Sequence, residues 1–448
     1  MSVRRPVWAL HVLVVGLAAH NFVMSQLWHA GVRGSALSAV AGWKDLLLAG
    51  AVVSAAWARR HDLPRPIAAD WAALGFTAFV VVYGLVPQSL LGGHATHTGV
   101  FYAARHDLLP VAAYVLGRLL DLTRRERSRL CATVLATAAA VAGLGLVEVY
   151  AVPLSWWHHN GTIGWFSDQL SLGYSGLSGL PENFVYNAGG GVVFRRLIST
   201  FLSPLATGYL LVFALFLVPL RRRYGPPLAL LLFAALLWTH TRAAVLALGL
   251  GLLVLAAVRR RERAVALALV GAALAVGAAG AVFVKEYDHF GPRTHFTAQE
   301  LKEQQQHAHS AGAGPGSSNP FSQNDASTSE HLSNLRAGAS TVLHHPWGFG
   351  LGNAGVTASR TGVKVEAGES TYTELGVEVG LVGVMLFVVW SLALLRRLGA
   401  TPWLAAPFAA VLALGLQTDI IGIPWVAVVV WAFAGAAVTR PAPLSASR

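Results

Sequence analysis

The sequence predicts an all-α, polytopic membrane protein with about twelve spanning helices, each needing about 20 apolar residues. Composition supports this first, because 55% of the residues are hydrophobic and only 12% charged, against about 25% charged in a soluble domain. Segmentation supports it next. The apolar residues gather in stretches of about 17 to 25, long enough at 1.5 Å per residue to cross a hydrocarbon core, without the alternation of a membrane β-barrel. The third observation is the placing of arginines at alternate connections between those stretches.

The expected spans are 7–28, 35–57, 66–88, 99–117, 130–152, 199–220, 226–240, 242–258, 264–284, 371–395, 402–418 and 421–438. The first follows Arg4 and Arg5 and runs past Asn21 without a small-residue cleavage site, so it reads as a span rather than a signal peptide. Counting from a cytoplasmic N-terminus puts every dense arginine cluster inside: Arg4/Arg5, Arg59/Arg60/Arg65, Arg118 to Arg129, Arg221 to Arg223, Arg259 to Arg263 and Arg396/Arg397. Both termini are then cytoplasmic, in a multi-pass protein of the inner, cytoplasmic membrane. The net charge of +12 follows from these clusters. Without a basic soluble face, nucleic acid is not an expected partner.

Two long connections fall on the exterior side, 153–198 and 285–370. This divides the chain into 1–284 with nine spans, the large loop 285–370, and 371–448 with three spans and a tail. Within the loop, 304–324 is rich in Gly, Ser, Gln and His and is expected to be disordered. After it, Ser327, Thr328 and Ser329 offer N-caps for a helix through Leu332, Leu335 and Val342 that should end near Pro346. Cys131 is the one cysteine, so no intrachain disulfide braces the loops.

Charges inside spans are costly, which makes each a candidate for function or for an ion pair. Lys44/Asp45 and Arg105/His106/Asp107 place opposite charges side by side and read as internally paired polarity that is structural or lines the substrate path. Asp70, Glu148 and Asp419 lie near span ends, where a carboxylate reaches interfacial water. Arg195, Arg196, Arg242 and Arg336 are cationic, exterior and without an acidic neighbour in sequence. Four guanidiniums at one leaflet suit an anionic ligand such as a lipid pyrophosphate, because the planar fork of donors matches phosphate oxygens and keeps its charge. The histidine pairs His94/His97, His158/His159, His307/His309 and His344/His345 match no zinc signature. No nucleotide-cradling glycine loop, serine elbow or Asp-x-Asp pair is present either, so neither a metal nor a cofactor is expected.

Three segments together resemble the O-antigen ligase and polysaccharide polymerase superfamily of bacterial membrane glycosyltransferases. Arg196-Leu-Ile-Ser-Thr-Phe-Leu-Ser-Pro-Leu-Ala-Thr-Gly is similar to the family's Arg-x-x-Gly-Thr-Phe-x-x-Pro entry into a helix. Thr239-His-Thr-Arg242-Ala-Ala resembles its Ser-x-Ser-Arg-Gly/Ala turn. Arg336, then His345-Pro-Trp-Gly-Phe-Gly-Leu-Gly-Asn353, then Glu369-Ser-Thr-Tyr-Thr-Glu-Leu-Gly-Val-Glu-Val-Gly380, resembles the family's last and most specific motif series. The resemblance implies a GT-C-like membrane fold and metal-independent transfer of a glycan from an undecaprenyl-pyrophosphate carrier to an acceptor sugar hydroxyl. Its implied partners are that donor, a glycan acceptor, the bilayer and other polysaccharide-assembly membrane proteins.

Mapped onto this sequence, Arg196, Arg242 and Arg336, with Arg195 beside them, would hold the pyrophosphate, and Glu369 would serve the acceptor hydroxyl. His345 and Tyr372 of the same motifs are expected to be structural or substrate-lining. Ligases of the family carry His where this chain has Glu369, and this departure favours a polymerase over a ligase acting on a lipid-A-core acceptor. A transporter or flippase for a lipid-linked anion is the alternative from another class. Transporters commonly show paired halves, and no two-fold repeat is visible here.

Overall fold

The computed structural model describes residues 5–172, 180–181, 184–187, 193–220, 224–294 and 326–439. The expected disordered stretch 304–324, the loop-helix caps Ser327 to Ser329 and the C-terminal tail fall outside the residues whose side chains are described. In chain order the principal helices are α1 (Val7–His29), α2 (Gly34–Ala41), α3 (Trp43–Ala58), α4 (Ala68–Leu85), α5 (His97–Leu120), α6 (Arg124–Ala151), α7 (Pro204–Leu217), α8 (Gly225–Trp238), α9 (Arg242–Val258), α10 (Arg263–Phe290), α11 (Ala326–His344), α12 (Gly355–Arg360), α13 (Thr371–Leu398), α14 (Pro402–Leu414) and α15 (Pro424–Thr439). Every expected span coincides with helix, and the second is divided at Gly42 into α2 and α3.

Among the described residues, six helical stretches are long and apolar enough to cross a membrane, and five more are apolar but shorter, at 10–17 residues. The protein is an all-α polytopic membrane protein. Helix α5 has the length, at 24 residues, but carries Arg105, Asp107 and Arg118, all turned toward other helices. The inside-out distribution is that of a protein dissolved in lipid: Leu46, Leu230, Leu246 and Leu267 are 71–75% exposed, while Asp107 and Glu378 are buried. Helix association relies on small residues at close crossings. Where α5 meets α15, a Cβ on Gly117 would lie 2.1 Å from the Ala432 carbonyl oxygen, and one on Gly435 would lie 2.3 Å from that of Tyr114.

The bundle has an arginine-rich end and a loop-rich end. At the first, Arg5 donates to the carbonyls of Leu120 and Asp121 and reaches Glu126, while Arg118 donates to Asp70 and to the Arg65 carbonyl. Asp70, expected to meet interfacial water, is thus fixed by Arg118 at 2.7 Å and by Tyr114 at 2.6 Å. At the loop-rich end, a small antiparallel sheet of β1 (Val185–Asn187), β2 (Val193–Arg195) and β3 (Arg293–Thr294) joins the first long loop to the end of α10, with Val185 opposite Arg195 and Phe194 opposite Arg293.

The loop at 345–353 follows α11, which ends at His344, just before Pro346 as expected. This loop docks into a break in α13. Gly380 adopts φ +68° there, which spares no room for a side chain, because a Cβ would lie 2.6 Å from the Pro346 oxygen. The interrupted helix instead bonds the loop: Phe349 N–H donates to the Val377 carbonyl at 2.6 Å and Leu381 N–H to that of Pro346 at 2.8 Å. Asn353 closes the loop by donating from Nδ2 to the Gly350 carbonyl and to Gln88, and its Oδ1 accepts from His94 N–H at 2.8 Å.

Candidate active site

Adjacent arginines have opposite surroundings at the loop-rich end. Arg195, on β2, is buried, and its Nη2 lies 2.8 Å from Glu148 Oε1 of α6. It also donates to the Val152 carbonyl, and its own carbonyl accepts from the Tyr287 hydroxyl at 2.6 Å. Glu148 therefore does not reach interfacial water. With its guanidinium held in a buried ion pair, Arg195 leaves the expected pyrophosphate set. Arg196, one residue on, is half-buried and lies along the turn between α8 and α9. Its Nε donates to the Thr239 carbonyl at 2.9 Å and its Nη2 to Thr241 Oγ1 at 3.1 Å.

That turn is made by Thr239-His-Thr. Thr239 Oγ1 donates to the Leu236 carbonyl at 2.7 Å, closing α8, and His240 takes φ +53°. Arg242 is the first residue of α9 and is half-buried. Arg196 and Arg242 both act electrostatically on His240. The geometry thus brings together two of the four expected arginines. The printed bonds of Arg196 go to a backbone carbonyl and a hydroxyl, which orient its guanidinium beside the turn that Arg242 ends.

Arg336 is elsewhere. On α11, the face carrying Gly338 and Val342 packs on α13, and Arg336 is exposed on the opposite side. Among the described residues no contact joins it to Arg196 or Arg242.

A second group of charges surrounds His106 on α5. His106 Nδ1 meets Asp107 Oδ1 at 2.9 Å and Nε2 meets Asp419 Oδ2 at 2.7 Å. Both ring nitrogens of His106 are thus held by carboxyl groups, one on α5 and one at Asp419. Asp419 also accepts from Thr371 Oγ1 at 3.2 Å, and Glu378 Oε1 accepts from Gly352 N–H at 3.0 Å. Glu374 is buried, its carboxylate against Gly355 and reached by the Glu369 N–H. Ligand-type atoms of His106, Asp107 and Glu378 lie within 4.8 Å of one another. Because both His106 nitrogens are engaged by carboxylates, this donor set reads as an ion network rather than a metal centre.

Lys44, Asp45 and Arg105 form a third group, paired between helices rather than with sequence neighbours. Arg105 Nη2 meets Asp45 Oδ2 at 2.9 Å, bridging α5 and α3, while Lys44 Nζ donates to the Ala41 carbonyl at 2.8 Å and lies 3.2 Å from His20 Nε2. His345 is exposed and packs its ring 4.4 Å from that of Phe349, and the Tyr372 hydroxyl donates to the Leu412 carbonyl at 2.8 Å.

Glu369 precedes α13 in a left-handed conformation, φ +71°, unusual for a residue with a side chain. Its Oε2 is 2.6 Å from His331 Nδ1, and its Oε1 accepts from Asn334 Nδ2 at 2.7 Å. Partial burial pushes its carboxyl up, but the hydrogen bonds from His331 and Asn334 outweigh this and hold it below the usual Glu value.

Residues 227–388, from α8 into α13, match a family model described as O-antigen ligase. The matched segment is similar to the O-antigen ligase family, in keeping with ligase- or polymerase-type activity on a lipid-linked glycan and an acceptor within a membrane. No curated protein matches the chain. Within the matched segment the motif residues have separable tasks: Arg242 belongs to the cationic turn, His345 to Asn353 fill the break in α13, and Glu369 receives α11.

The sequence reading does not single out His331, Asn334, Glu374 or Glu378. Glu374 and Glu378 are four apart in an apolar segment, so they share one face, and that spacing was the available signal. His331 and Asn334 share a face in the same way.

Proposed function

We propose that the chain is a metal-independent glycosyltransferase of the cytoplasmic membrane that moves a glycan from an undecaprenyl-pyrophosphate carrier to a sugar hydroxyl at the outer face, working as a surface-polysaccharide polymerase. The observation that carries this reading is Arg196 bonded to the Thr239–Thr241 turn, which Arg242 directly follows at the start of α9. As the bond from the anomeric carbon to the carrier breaks, negative charge grows on the diphosphate, and preorganised guanidiniums stabilise that charge more than the ground state. The arginine-rich end would face the cytoplasm, in keeping with the positive-inside rule, and the loop-rich end would face the substrates. Glu369 in place of the ligase histidine favours polymerisation. Other polysaccharide-assembly membrane proteins are natural partners.

The test is turnover of a defined lipid-linked repeat unit by the purified chain in nanodiscs. A ladder of lengthening lipid-linked products is expected, and it should survive chelation of divalent ions. Single transfer to a lipid-A-core acceptor without a ladder would establish the ligase alternative. Vectorial movement of the intact lipid-linked glycan with no new glycosidic bond would replace both by transport.

A further inference from the structure

The group of Lys44, Asp45 and Arg105 gains a further cation from the large loop. Helix α12 is seated on the start of α5, where a Cβ on Gly99 would lie 3.3 Å from Thr361 Oγ1. At its end the exposed Arg360 guanidinium stands over the Tyr102 ring of α5, 5.8 Å from the centroid. Arg105 lies within electrostatic reach of Arg360, and both lie within reach of Lys44. Helices α3, α5 and α12 thus bring three cationic side chains together at the loop-rich end, on elements other than those that form the 239–241 turn.

The protein supplies little to balance them. Among the described residues the ion-pair partner of this group is Asp45, which Arg105 Nη2 meets at 2.9 Å. Asp107, two positions on from Arg105, turns to His106 instead. Lys44 is buried, and its Nζ meets the Ala41 carbonyl at 2.8 Å and His20 Nε2 at 3.2 Å, neither of them a carboxylate. Arg105 Nε is buried without a hydrogen-bond partner. Cations withdrawn from water are costly unless an anion offsets them. The group is nonetheless open to a ligand, because the Arg105 side chain is 36% exposed and Arg360 is exposed. Phe101, one turn before Arg105 on the same face of α5, is also exposed and gives the opening an apolar rim.

We infer that Lys44, Arg105 and Arg360 form a second anion site, which holds the phosphate-bearing headgroup of a lipid. Phosphate oxygens match the forked donors of the two guanidiniums, Lys44 adds its charge from behind, and the lipid tail lies along Phe101. The identity of that lipid rests on the proposed function: a polymerase joins two carrier-linked glycans, so the diphosphate of the acceptor carrier occupies this site while that of the donor carrier occupies the 239–241 turn.

The experiment places the full chain in nanodiscs of neutral phosphatidylcholine, adds undecaprenyl diphosphate or phosphatidylglycerol, and reads the retained lipids by native mass spectrometry. Arg360→Glu and Arg105→Gln should each weaken retention of one anionic lipid by about 10–100-fold. With undecaprenyl diphosphate, Arg360→Glu and Arg242→Ala should each lose one bound molecule, and the double variant should lose both. Loss of phosphatidylglycerol alone in Arg360→Glu would keep the anion site and assign it to a bilayer lipid, overturning only the acceptor assignment. Wild-type affinity for both lipids in folded Arg360→Glu and Arg105→Gln would overturn the site. If Arg360→Glu does not fold, Arg360→Ala removes the same charge without adding another and is read in the same way. A wild-type chain that forms no glycosidic bond, yet loses a lipid on substitution of Arg360, would overturn the proposed function and leave the site standing.

Discussion

The cationic turn at Arg196 and Arg242 and the carboxylate network around His106 both place charge in the half of the bundle nearer the loops, yet they differ in how that charge is balanced. Around His106 the ring sits between two carboxyl groups, and Glu378 accepts from Gly352 N–H, so these side chains fasten α5, α13 and the 415–423 loop. At the turn, the described hydrogen bonds of Arg196 go to a carbonyl and a hydroxyl, which orient the guanidinium. Arg195 repeats the lesson within one residue, since Glu148 neutralises it. The network thus fastens helices through charged groups, while the described bonds at the turn orient a guanidinium through neutral oxygens.

If that division holds, the largest effect on stability belongs to the network. Asp107→Ala leaves His106 with one of its two partners in a buried setting, where stripping one member of an ion pair costs about 3–5 kcal/mol. The purified variant should show a much lower thermal midpoint in detergent. An unchanged midpoint would mean that the network is not a fastening. Next comes Gly380→Ala, which forces a side chain into φ +68° against the Pro346 carbonyl and should cost about 1–3 kcal/mol. Increased hydrogen exchange confined to 345–353 and the start of α13 would register it. A smaller effect concerns acid. Since Glu369 is held below its usual value, its contacts with α11 contribute fully above about pH 4.3, the unfolded value, and fade as pH falls through the lower folded value. Proteolysis of α11 should accelerate only below that point, and acceleration near neutral pH would contradict it. The smallest change is expected for exposed Arg336→Ala, within about 0.5 kcal/mol in stability. A complete loss of transfer in that folded variant would return Arg336 to the anion site.

The spans were legible in the sequence because about 20 apolar residues are a local property that lipid imposes on composition. The 345–353 motif was legible too, since its glycines carry positive φ at 348, 350 and 352, and no other residue type serves that backbone well. Pairing between helices was not legible. Asp45 faces Arg105 rather than Lys44, and Asp419 finds His106, which precedes it by 313 positions. Arg195 and Arg196 are the same residue type at consecutive positions, and only the register of β2 against α6 and the 239–241 turn distinguishes them. Glu369 could be placed at the site from its motif, but the two α11 side chains that define its task lie 38 and 35 residues away.

The central claim is that the guanidinium fork at the 239–241 turn carries the chemistry, and Arg242→Lys tests it most directly. An ammonium keeps the positive charge but not the paired donors that a diphosphate accepts. The initial rate of glycan transfer from the defined lipid-linked donor should fall by roughly 10²-fold, with the thermal midpoint and size-exclusion profile of the wild type retained. A folded Arg242→Lys chain that turns over at the wild-type rate would contradict the claim.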